Sequence, residues 1–93
     1  MNKDKISKIV QACATLHSIA GEEHIKIEIP ASRMDPPWVT LNYLKELHAL
    51  GKEMKVFRLA NGSFRVCSFY EGVNFSVDNV TEPYLKEYGL PVP

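Results

Sequence analysis

The side chains able to do chemistry are few and scattered. His17, His24, His48, Cys13 and Cys67 stand far apart, except that Cys13 and His17 lie one helical turn from each other. One such pair supplies only part of the tetrahedral ligand set that a structural zinc site takes. His17 reads more simply as a satisfied residue at a core edge. No glycine-rich phosphate loop or nucleophile elbow is present, and Glu22-Glu23 follows a helix end, where a solvated turn accounts for it. The sequence therefore calls for no catalytic residue, metal or cofactor, and a non-enzymatic protein is expected.

Binding chemistry is better represented. Arg58 and Arg65 flank Asn61-Gly62, and a two-residue turn there sets them opposite each other on neighbouring strands. Like charges in that position destabilise a hairpin unless an anion compensates, and a phosphate would do so. The plainer alternatives are that both guanidiniums splay into water, or that Asp78 or a C-terminal glutamate reaches one of them. Asn42 offers the donor and acceptor that match the adenine edge, although a solvated helix position explains it equally well.

The elements that position these residues follow from periodicity. Ile6, Ile9, Val10, Cys13, Leu16, His17 and Ala20 recur at three- and four-residue steps, predicting a helix over residues 3–20, capped by Asn2 or Asp4 and ended by Gly21. His24 to Ile29 alternates as a strand does; it either stops near residue 27, with a short helix at 29–34 starting at Pro30, or runs on to Ile29 before a loop. Asp35-Pro36-Pro37 reads as a helix start, and Leu41, Leu44, Leu47 and Leu50 form a stripe extended by Trp38 and closed by Gly51. Residues 54–59 and 64–69 flank the Asn-Gly turn as a hairpin, with Leu59 opposite Phe64, Phe57 opposite Val66 and Val56 opposite Cys67. Residues 73–77 then add a third strand, with Val73, Phe75 and Val77 on the face of Phe57 and Val66. Thr81 caps a short helix over residues 82–88, ended by Gly89.

Residues 25–50 resemble the winged helix-turn-helix family of DNA-binding domains. Ala31 stands where that family has a small residue in its first helix, Met34 where the helix packs inward, and Leu41 and Leu44 where the second helix returns to the core. Asp35 replaces the usual turn glycine, and the paired prolines are atypical. The resemblance implies a helix-turn-helix over about residues 29–50, a wing hairpin over about 54–69 and an extension over 70–93. It further implies that Trp38, Thr40, Asn42, Tyr43 and Lys45 on the second helix, and Arg58, Asn61 and Arg65 on the wing, meet double-stranded DNA. A homodimer would double the contacted site. The expected fold is thus an α+β winged-helix-like domain, with the first helix and the leucine stripe packed on the inner face of the hairpin.

Composition is compatible with this reading without requiring it. Ninety-three residues with 45% apolar and 24% charged side chains fit one ordinary globular domain. Net charge is formally zero, which gives polyanions no overall attraction. The charge is uneven, however: residues 33–65 carry six bases and three acids, 6 − 3 = +3, and residues 66–93 carry one base and four acids, 1 − 4 = −3. The alternative is a protein-binding module, for which Trp38, Tyr43, Tyr70, Tyr84 and Tyr88 supply interface aromatics. With no apolar run near the ~20 residues of a membrane span and no secretory signal pattern, a cytoplasmic location without membrane contact is expected. There the two cysteines stay reduced and pack as small apolar side chains, and the three glycosylation-type triplets are incidental.

Overall fold

The computed structural model describes residues 1–93. Its first element, α1, is Lys3–Glu23, and Asn2 Oδ1 accepts the Lys5 N–H at 2.9 Å to open it. Gly21 lies inside the helix and does not end it. His24 takes the left-handed position instead, at φ 54°, with its N–H bonded to the Ala20 carbonyl. The added turn has a non-local cause: Asn42 Nδ2 donates to the carbonyls of Glu23 and His24 at 2.9 and 3.1 Å, covering acceptors that a helix end leaves open.

A short strand, β1, follows at Lys26–Glu28, and no helix forms between it and residue 44. Residues 31–35 make only local turns, such as Met34 N–H to Ser32 Oγ at 3.1 Å. The expected helix-turn-helix over residues 29–50 is therefore absent. A residue before a proline is disfavoured in the α region, so Pro30, Pro36 and Pro37 work against a helix running through Ile29, Asp35 and Pro36. Past them, Trp38-Val39-Thr40 combines aromatic and β-branched side chains suited to a sheet and forms β2, Trp38–Leu41. Only α2, Leu44–His48, remains of the long helix expected up to residue 50; the Tyr43 N–H at its start donates to Glu46 Oε1 at 3.2 Å. Met34, expected to pack inward, is 90% exposed.

Strands β3 (Lys55–Arg58), β4 (Phe64–Tyr70) and β5 (Val73–Val80) form the expected antiparallel meander, and α3 follows at Glu82–Glu87. The sheet order is β1-β2-β5-β4-β3, with β2 parallel to β5 and the other pairs antiparallel. The chain is thus an α+β fold with a five-stranded mixed sheet and three helices.

One register differs from expectation. Leu59 pairs with Ser63, whose carbonyl accepts the Leu59 N–H at 2.8 Å, and the Gly62 N–H returns to the Leu59 carbonyl at 3.1 Å. The loop is therefore three residues long, Ala60-Asn61-Gly62, with Gly62 at φ 84° in the left-handed region that lets a turn of this type rejoin the ladder. Val56 faces Val66, Phe57 faces Arg65 and Arg58 faces Phe64. A one-residue slip moves every side chain of β3 to the other face, so Phe57 leaves the core side and Arg58 and Arg65 lie on opposite faces.

The core is one-sided. Leu44 and Leu47 of α2 and Leu85 of α3 cover Phe64, Val66, Val77 and Val80, with Leu41, Leu50, Val56 and Phe75 packed around them. The leucine stripe thus reaches the core although half of it is not helical. α1, expected against the hairpin, contributes no buried residue.

An open sheet face centred on Trp38

The face opposite α2 and α3 has no helix over it, and strand alternation decides what it shows. β2 presents Trp38 and Thr40, paired with Asn74 and Ser76 of β5. β4 presents Arg65, Cys67 and Phe69, and β3 adds Lys55 and Phe57. At the far edge, Lys26 and Glu28 of β1 form an ion pair at 3.1 Å.

A chain of contacts runs across the middle of this face. The Trp38 indole Nε1–H donates to Ser76 Oγ at 2.7 Å, and Ser76 is fully enclosed. The Arg65 guanidinium lies over the Trp38 ring, 5.9 Å from its centroid, and holds Asp78 with two bonds: Nε to Oδ1 at 2.6 Å and Nη2 to Oδ2 at 3.2 Å. A bulge in β5 makes this possible. Phe64 pairs with Val80 and Val66 with Val77, so two residues stand opposite Arg65, and Asn79 at φ 59° absorbs the extra one while Asp78 turns to the arginine. The hydrogen bond from Arg65 to Asp78 raises the arginine pKa further, with desolvation opposing. Burial raises the neighbouring Cys67 thiol, and the charge of Arg65 offsets part of that rise.

Two shallow depressions flank Trp38. One, of about 540 Å³, lies between Lys26, Thr40, Arg65 and the proline loop at Pro30 and Pro36. The other, of about 450 Å³, lies between Lys55, Phe57, Cys67 and Phe69, where Phe57 is 49% and Phe69 57% exposed. The face therefore offers aromatic surface on which Trp38, Arg65 and Lys26 already have polar partners in Ser76, Asp78 and Glu28. No three His, Cys, Asp or Glu side chains converge as a set of metal ligands.

Of the residues nominated from the sequence, Trp38, Thr40 and Arg65 come together here, on strands and not on a helix and a wing. Asn42 is engaged in closing α1. Tyr43 precedes α2 with the Lys45 ammonium 5.4 Å from its ring centroid. Arg58 lies on the opposite face, where Nη2 donates to the Pro93 carbonyl at 2.6 Å and the guanidinium covers the Phe64 ring. Asn61 stays in its turn, accepting the Ser63 N–H at 3.0 Å and donating to Asn79 Oδ1 at 3.1 Å. Ser76, Phe57 and Phe69 were missed; the alternation of β4 and β5 carried a signal for Phe69 and Ser76, and the unexpected register hid Phe57. Comparison with protein-family models, with curated proteins and with solved structures found no match.

Proposed function

We propose that the chain is a non-enzymatic protein-binding module whose open sheet face receives a partner segment around Trp38. The observation that carries this reading is that Phe57 and Phe69 stand exposed beside Trp38 while the nearby cations Arg65 and Lys26 are engaged by Asp78 and Glu28. Contiguous exposed aromatic surface on which Arg65 and Lys26 are neutralised, with Lys55 as the cation without an acidic partner, favours a partner that buries apolar area. Duplex DNA instead rewards unpaired cations aligned with phosphates, and the arginines nominated for that role point to opposite faces and have other partners. Residues 38–41, a strand within the sheet, also offer no helix to enter a major groove.

Selection from a random peptide display library on the immobilised chain tests the reading, with Phe69→Glu as control and mixed-sequence duplex DNA titrated alongside. The expected result is a peptide whose binding is lost in Phe69→Glu and is little changed between low and high salt. DNA binding that falls steeply with salt, with no peptide selected, would overturn it.

A further inference from the structure

α1 is long, amphipathic and almost unsupported. At ~1.5 Å per residue its 21 residues extend about 31 Å, yet none of them is buried. Its anchorage in the fold is at its C-terminal end, against β1 and through Asn42. Ile6 is 49%, Ile9 48% and Val10 62% exposed, on the same stripe as Cys13, Leu16 and Ala20. Isolated helices are marginal in water, and an apolar stripe stabilises one only when it is covered.

The charges of α1 say what covers it. Lys3, Lys5 and Lys8 occupy its start with Asp4 as the only acid, and Glu22 and Glu23 occupy its end with no base in the last turn. That is the unfavourable arrangement for a lone helix, whose dipole is positive at the N-terminus and negative at the C-terminus. An antiparallel second copy reverses it, bringing Glu22 and Glu23 to the lysine end and the lysines to the glutamate end. The spacing agrees: Lys5 and Glu23 are 23 − 5 = 18 residues apart, about five turns, and so lie on the same edge of the apolar stripe. Residues 9–21 between them carry no Asp, Glu, Lys or Arg, leaving an uncharged centre. A parallel pair would set lysines against lysines and glutamates against glutamates.

We infer that the chain self-associates through α1 as an antiparallel helix pair, in which Ile9, Val10, Cys13, Leu16, His17 and Ala20 of each copy form the seam and Lys5 of one copy pairs with Glu23 of the other. No residue of the sheet face takes part, so this assembly stands or falls separately from the partner proposed there.

Sedimentation equilibrium of the full chain under reducing conditions, across the micromolar range, tests it. The wild type gives the mass of a dimer. Lys5→Glu and Glu23→Lys each weaken association about ten-fold, since each turns two attractive pairs of the dimer repulsive, and the combined variant regains wild-type affinity. Each reversal improves the charge on the helix's own dipole, so a purely structural role would give more helix and no loss of dimer. Ile9→Asp gives a monomer whose Trp38 fluorescence still reports a folded sheet; should that variant unfold, the surface charge reversals decide. A monomer throughout overturns the inference, including a monomer that binds anionic vesicles instead. So does a dimer that tolerates Ile9→Asp or that neither charge reversal weakens.

Discussion

Ser76 is enclosed beneath the Trp38 indole and accepts its N–H, so its hydroxyl satisfies a donor in the middle of the sheet. Removing the acceptor leaves that donor without its partner. Ser76→Ala should therefore lower stability by about 1–3 kcal/mol in denaturant titrations, and should shift the emission of the only tryptophan. The pair Arg65 and Asp78 is more exposed, at 39% and 32% of their side chains, and its stabilising role is correspondingly smaller. Asp78→Ala is expected to cost no more than about 1 kcal/mol. The two thiols differ as well: Cys13 is exposed, whereas burial holds the Cys67 thiol above its ordinary pKa of 9.0. At neutral pH a maleimide should modify Cys13 first, as read by mass spectrometry of the labelled peptides. The raised value also sets a sign for stability. The folded state holds the Cys67 proton more tightly than the unfolded one, so the contribution is intact below pH 9.0 and is lost as pH rises through the folded value.

At the scale of elements, loops of defined geometry place the side chains of the open face. Gly62, at φ 84°, closes the three-residue loop that puts Phe57 beside Arg65. Gly62→Ala meets no steric neighbour but must hold an alanine in the left-handed region, so a loss of about 1 kcal/mol in urea unfolding is expected. Elements with local signals were legible in the sequence. The 3–4 spacing gave α1, Asn-Gly gave a hairpin, and Thr81 with Gly89 bracketed α3, although the Thr81 side chain makes no capping bond and its carbonyl accepts from Tyr84 and Leu85 instead. Residues 38–50 were not legible, because Leu41, Leu44, Leu47 and Leu50 fit a helix as well as a strand followed by a helix. Pairing of Trp38–Leu41 with β5, more than thirty residues away, settles the choice. The hairpin was ambiguous for a smaller reason: Asn61-Gly62 serves a two-residue or a three-residue loop, and the difference moves Arg58 to the face opposite Arg65. Hence only part of the site was foreseen, and its members were assigned to the wrong elements.

For the whole molecule, the consequence of a one-sided core is a division of surfaces. α2 and α3 seal one side of the sheet, the other side stays open around Trp38, and α1 extends its apolar stripe away from both. No helix is long and apolar enough to cross a membrane. The sequence contrast between a basic middle and an acidic last third is partly dissolved by folding, since Arg65 from the first pairs with Asp78 from the second. Under the proposed function, recognition rests on apolar contact and shape, with little left for long-range attraction to a polyanion. The most direct measurement follows the Trp38 indole N–H resonance of isotope-labelled chain, titrated with a display-selected peptide and, separately, with mixed-sequence duplex DNA at low salt. The peptide should shift this signal together with those of Arg65 and Phe69, and DNA should leave them in place. A Trp38 signal that moves with DNA, recovers as salt is added and ignores the peptide would contradict the proposed function.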